Sequence, residues 1–254
     1  MAVVFVINIK GFEISKHLFL YDFLDSVFMG KFKNYSFNKN TNQRFIGELL
    51  KRYMICFFTG KKNSSIEIEL NEYGKPLLKN SKICFFNISH SGIYVVGIVD
   101  SAPVGVDVER IVNIKRNVAD QSFSKKEIDY LSNFVSAEAF SKEFFFIWTL
   151  KEAYVKALGI GLSKENSSFC VNLNDNGEIS IKDNEQREFE FTYLNSRIID
   201  DDFILATICT SPVKYILMDY NDFIHTLLDC NQFDNLIKKK RPVSCQITFL
   251  PRNP

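Results

Sequence analysis

The sequence predicts an α+β protein of two similar halves, and three observations carry that reading. Two helix-period stretches lie about a hundred residues apart, near Thr41–Phe58 and near Lys142–Leu158. Each is followed by a glycine-containing turn and then by short β-rich runs, so the two halves repeat one order of elements. A chain of 254 residues allows either one large domain or two compact halves, and the repeat favours the second.

The elements follow in order. "MAVVFVINIK" is apolar but lacks a basic n-region and a small-residue cleavage site, so it reads as a first strand rather than a signal peptide. "TNQRFIGELLKRYMICFF" places Ile46, Leu49, Leu50, Tyr53 and Met54 at helical spacing. "IEIEL" alternates as a short strand, and "NEYGKPLL" is a turn around Gly74 and Pro76. "KICFFNIS" and "GIYVVGIV" form a hairpin joined around His90, Ser91 and Gly92. "VGVDVER" is another strand. A helix near Lys125–Asn133 leads into the long one, which ends at Gly159 and Gly161. "SFCVNL", "FEFTYL" and "FILATICT" read as strands, and residues 221–254 as a tail with a short helical segment and a solvated basic run, "IKKKRP".

Composition excludes more than it selects. A net charge of +1 gives no field for nucleic acid. No apolar run approaches the ~20 residues of a membrane span, so a soluble, cytoplasmic protein is expected. Six cysteines lie far apart without a C-x-x-C pair, and only His17, His90 and His225 accompany them. Buried free thiols are expected and a zinc site is not. The 25 phenylalanines announce an aromatic core and say nothing of chemistry. No G-x-x-x-x-G-K-[ST], G-x-G-x-x-G or G-x-S-x-G motif is present.

The chemistry concentrates in a few positions. Asp107 and Glu109 lie two apart on a strand and so point to one side, roughly 6–7 Å from each other; Val104, Val106 and Val108 take the other face, toward the core. Read alone, this is an amphipathic edge strand with a wet acidic face. Glu152 and Lys156 share a helix face with Trp148, and read alone they are a surface i,i+4 ion pair worth a few tenths of a kcal/mol. If that face packs near the strand, three carboxylates suit Mg²⁺, a hard cation that completes its shell with water and substrate phosphate. Arg44 and Lys75 are candidate phosphate contacts, and the small polar turn at His90 offers hydroxyls and amides to an anion.

"YGKP" at 73–76, "FNISHSG" at 86–92, "VGVDVE" at 104–109 and "WTLKEAYVKALGIGL" at 148–162 occur in that order. Together they resemble the 4'-phosphopantetheinyl transferases of the long, surfactin-synthetase type, and "QRFIGELL" looks like the start of that family's N-terminal helix. The resemblance runs from about Thr41 to Thr210. It implies a pseudo-twofold α+β fold with coenzyme A in the cleft between the halves: residues 1–103 with coenzyme A-binding elements, 104–220 with the metal site and catalytic helix, and the tail. It implies Mg²⁺ on Asp107, Glu109 and Glu152, with Lys156 on the phosphate and placed to protonate the leaving group. Glu152 is the family's candidate base. Coenzyme A contacts would come from Arg44, Lys75, Pro76, Ser89 and His90, and more weakly from Lys31. Arg44 and His90 would lie near its 3'-phosphate.

The implied reaction moves 4'-phosphopantetheine from coenzyme A to a serine hydroxyl of an apo acyl or peptidyl carrier protein and releases 3',5'-ADP. Carrier and coenzyme A are then the partners, with neither nucleic acid nor membrane, and the long form is expected to be a monomer with an internal pseudo-dimer. Lys115 and Arg116, in the basic stretch between the halves, are a candidate edge for docking the acidic carrier. The alternative is a coenzyme A or carrier-protein binding module without catalysis; intact Asp107, Glu109, Glu152 and Lys156 argue against it.

Overall fold

The computed structural model describes residues 1–32, 39–161, 165–173, 178–183, 190–230 and 233. The first strand, β1 (Ala2–Asn8), is apolar and β-branched, and buried for all but its last residue. Helix α1 (Ser26–Phe32) precedes α2 (Lys39–Thr59), whose Phe45, Ile46, Leu49, Leu50 and Met54 form a fully buried stripe. A hairpin of β2 (Ile68–Leu70) and β3 (Pro76–Leu78) frames the Tyr73-Gly74-Lys75 turn. Then come β4 (Phe85–Ser91), β5 (Tyr94–Asp100) and β6 (Gly105–Arg110).

Helix α3 (Asn117–Ser122) is followed by α4 (Lys125–Ser132), which opens with a Ser124/Glu127 capping box. The long helix α5 runs Ala137–Leu158. It begins five residues before the start the sequence suggests, because the Ser136 hydroxyl accepts the Ala139 N–H as an N-cap. It ends at Gly159, whose left-handed φ of 75° suits glycine. Strands β7 (Cys170–Leu173), β8 (Ile179–Lys182), β9 (Tyr193–Ile199), β10 (Phe203–Cys209) and β11 (Val213–Asp219) lead to α6 (Tyr220–Asp229).

The chain divides into two compact units: residues 1–69, 77–101 and 213–254 form the first, and 70–76 with 102–212 the second. Each is a helix laid on a sheet, so the fold is α+β. In the first unit the strand order is β11-β1-β5-β4, with β1 parallel to β11 and antiparallel to β5. Helix α2 packs on β5 and β4. Gly97 of β5 makes room for it, since a Cβ there would lie 2.7 Å from the Met54 thioether. Phe5, Tyr53 and Phe223 meet edge-on in this core. In the second unit β10, buried along its whole length, lies between β6 and β9, and α5 covers the sheet.

Two elements differ from the sequence reading. The short helical segment expected at the start of the tail is α6, capped by Asp219 and packed through Phe223, Ile224 and Leu227 into the first unit's core. "VKYILMD", given no element from sequence, is β11, a strand paired to the N-terminal β1. The strand expected at residues 189–194 is β9, shifted to Tyr193–Ile199. The basic run at residues 237–242 lies outside the described residues. Among the described residues five cysteines are free; Cys56, Cys84 and Cys209 are buried as expected, while Cys170 and Cys230 are half-buried, and burial pushes the Cys84 thiol up to about 11. Among the described residues, no helix is long and apolar enough to cross a membrane.

Candidate active site

The site begins with a glycine. Gly105 opens β6, and a Cβ built on it would lie 1.9 Å from the carbonyl oxygen of Ala153 and 2.6 Å from the amide nitrogen of Ala157. Helix α5 therefore sits with its backbone against β6 at a separation that only glycine permits. Residues 105, 107 and 109 share one face of the strand, so Asp107 and Glu109 are on the side that α5 covers. β6 is an edge strand of its sheet, as expected, but its acidic face is covered by α5 rather than wet. Asp107 is 2% exposed, Glu109 half-buried, and Val106 and Val108 on the other face are fully buried.

A buried carboxylate needs a positive partner. Helix α5 supplies it: Lys156 Nζ donates to Asp107 Oδ1 at 2.5 Å. Glu152, one turn earlier on α5, accepts at Oε1 from the Asn166 side-chain amide at 3.0 Å. Trp148, Glu152, Val155 and Lys156 line an open cavity of about 640 Å³, together with Gln121, Ser122, Gly161 and residues 165–167. Trp148 stacks on Phe144 behind it, which fixes this stretch of the helix. The carboxylate-and-cation face of α5 thus opens into a cavity within the second unit.

Asp107, Glu109 and Glu152 are each of the hard oxygen-donor type that a divalent cation such as Mg²⁺ takes. Among the described residues no group of three His, Cys, Asp or Glu side chains is already gathered as a metal cage. The counter-charge on Asp107 is Lys156.

The turn between β2 and β3 is also built into this unit. Lys75 Nζ donates to the carbonyls of Lys156 (2.5 Å), Ala157 (3.3 Å) and Val104 (3.3 Å). Asn71 Nδ2 donates to the Gly159 carbonyl at 2.7 Å, while Asn71 Oδ1 accepts from the Tyr73 and Lys75 amides. Burial pushes the Lys75 ammonium down to about 8. Pro76 closes the turn as the first residue of β3.

The remaining expected coenzyme A contacts belong to the first unit. Arg44 is exposed near the start of α2; Ser89 and His90 lie toward the end of β4, with Ser89 buried and His90 exposed. Gln43 Nε2 donates to the Gly92 carbonyl at 2.8 Å, tying the start of α2 to the β4–β5 turn. Lys31 is in α1, and its side chain lies outside the described residues. Lys115 and Arg116, the candidate docking edge, are both exposed, and Arg116 is also held in place by the chain. Its guanidinium donates to the carbonyls of Phe134 and Val135 and lies 4.5 Å above the Phe140 ring.

Sequence reasoning missed Lys151, Glu127 and Asn166. Lys151 is fully buried, pairs with Glu127 at 2.8 Å, and donates to the carbonyls of Asn166 and Phe169. Burial pushes its ammonium down and Glu127 pulls it back. The available signal was a lysine within the buried stripe Ile147, Leu150, Tyr154.

Residues 103–208 match the 4'-phosphopantetheinyl transferase superfamily, and residues 15–101 match the family's N-terminal portion. A 4'-phosphopantetheinyl transferase of Aneurinibacillus migulanus, gsp, is 35% identical over 179 residues, covering 68% of this chain and 73% of its own. A second, from Bacillus subtilis, is 31% identical over 184 residues, covering 72% and 80%. The 4'-phosphopantetheinyl transferase Sfp of Bacillus subtilis strain 168 is 33% identical over 153 residues, covering 60% and 67%. The chain belongs to the 4'-phosphopantetheinyl transferases. It is an enzyme that transfers the 4'-phosphopantetheine group of coenzyme A to carrier proteins.

Proposed function

We propose that the transfer is Mg²⁺-dependent and that Asp107, Glu109, Glu152 and Lys156 carry it. The observation that supports this most is the Lys156–Asp107 pair at 2.5 Å, a buried acid on β6 meeting a cation on α5 beside the cavity. Asp107, Glu109 and Glu152 would hold the ion. When bound, it supplies Lewis-acid stabilisation of charge on the pyrophosphate.

The acceptor serine Oγ forms a bond to the β-phosphorus of coenzyme A, and the bond to 3',5'-ADP breaks. Lys156 offers a point charge to the transferring phosphate and a proton to the departing oxygen. Asn166 fixes one oxygen of Glu152 and the other would be on the ion, so Glu152 would take the serine proton through a water rather than directly. Arg44 and His90 bind the 3'-phosphate of coenzyme A, and Ser89 and Pro76 make other coenzyme A contacts. The acceptor is a serine of an acyl or peptidyl carrier, and the enzyme works in the cytoplasm as a monomer.

Incubation with coenzyme A, Mg²⁺ and an apo carrier should add the mass of one phosphopantetheinyl group to the carrier, and chelation should stop it. No mass gain on any of several carriers would defeat the reading. Asp107→Asn keeps the side chain's shape and removes its charge. It is expected to lower kcat/KM roughly 100-fold or more and to weaken Mn²⁺ binding followed by paramagnetic resonance. Wild-type Mn²⁺ binding in this variant would remove Asp107 from the metal site.

A further inference from the structure

The sequence reading aims Lys75 at a phosphate, yet its ammonium points into the end of α5. An ammonium has three protons, and here three carbonyls receive them, those of Lys156, Ala157 and Val104. The last carbonyls of a helix lack intrahelical partners, and a cation is favoured beside them. Asn71 completes the arrangement by donating to the Gly159 carbonyl, one residue past the helix. The turn also lies flush on the helix end: a Cβ on Gly159 would be 3.0 Å from Lys75 Cδ. Lys75 could not swing toward a ligand without uncapping two carbonyls of α5.

The third acceptor gives this cap its consequence. Val104 precedes Gly105, where α5 and β6 touch, and lies three residues before Asp107. One ammonium thus ties the backbone of Lys156 to the start of the strand that carries Asp107, and the Lys156 side chain meets that same Asp107.

We propose that Lys75, with Asn71, is a positioning residue for Lys156, locking the last turn of α5 to the start of β6. The proposal rests on Lys156 being the cation that meets the transferring phosphate.

Steady-state transfer by Lys75→Met tests it. The expected result is a kcat lowered roughly 10- to 100-fold, as for a displaced catalytic group. The KM for coenzyme A should stay within about twofold of wild type. The dissociation constant of coenzyme A, followed by the fluorescence of Trp148, the only tryptophan, should also hold. In a Lys156→Ala background the same substitution should have no further effect on kcat. A raised KM with kcat preserved, or an additive loss in the Lys156→Ala background, would overturn the proposal and return Lys75 to direct phosphate contact. Should Lys75→Met fail to fold, Asn71→Ala, which keeps the ammonium, carries the test: a smaller loss of kcat at constant KM supports the proposal, and an unchanged kcat overturns it. A wild-type protein that modifies no carrier overturns the underlying reading of Lys156, a result distinct from either variant outcome.

Discussion

Gly105→Ala is expected to destabilise the second unit by about 3 kcal/mol or more, at the upper end of what overpacking costs. The reason is the identity of the atoms in the way. A new methyl would meet the Ala153 carbonyl oxygen and the Ala157 amide nitrogen, both helix backbone, at 1.9 and 2.6 Å. A flexible side chain could give way, as the Met54 thioether could at Gly97, but backbone cannot move unless α5 moves as a whole. Lifting α5 draws Lys156 off Asp107 and carries Glu152 away from β6, so transfer should fall roughly 100-fold even where the variant is folded. Urea unfolding and a carrier-modification assay check both effects. Gly30→Ala is the control, because an added Cβ there meets nothing within 4 Å and replaces a helical glycine, so stability should hold or rise by about 1 kcal/mol. A Gly105→Ala protein with wild-type unfolding would show that the helix–strand separation is not set by this residue.

This glycine also marks where the sequence was legible and where it was not. The strand and helix of the proposed site were readable, because "VGVDVER" alternates with period two and Trp148–Leu158 repeats at helical spacing. The burial of the acidic face was not, since alternation alone cannot say which side of a strand receives a helix. Gly105 held that information, as a glycine within a strand signals a close backbone approach. Lys75 shows a harder limit: its acceptors stand 29, 81 and 82 residues away, so no local pattern separates a helix-capping lysine from one that waits for a phosphate. Strand β11 escaped for a similar reason. It completes a sheet with β1 at the opposite end of the chain, and its partly polar sequence gains meaning only through that pairing.

The other large effect is expected beneath the cavity. Glu127 and Lys151 are 1% and 0% exposed, and they pair with each other at 2.8 Å. The carboxylate accepts from Lys151, from the Val171 amide, and from the amide and hydroxyl of Ser124. The ammonium donates to the Asn166 and Phe169 carbonyls and lies 4.2 Å above the Phe169 ring. All partners of Glu127 are donors, so even isosteric Glu127→Gln must turn an NH₂ toward an N–H and leaves Lys151 buried without its counter-ion. The expected cost is about 3–5 kcal/mol, the range for removing one member of a buried pair. Lys151→Met should cost a similar amount by stranding the carboxylate. The double variant Glu127→Gln/Lys151→Met should lose less than the sum, with a coupling of about 1–3 kcal/mol; additive losses would mean the two charges are stabilised separately. The pair also bears on the proposed role of Glu152, because Lys151 holds the backbone at Asn166 and Asn166 holds Glu152. Lys151→Met, assayed well below its melting temperature, should therefore show lower transfer than its folded fraction accounts for. Asn166→Ala should reproduce that deficit with little loss of stability, since its side chain reaches Glu152 at the cavity wall and supports no core packing.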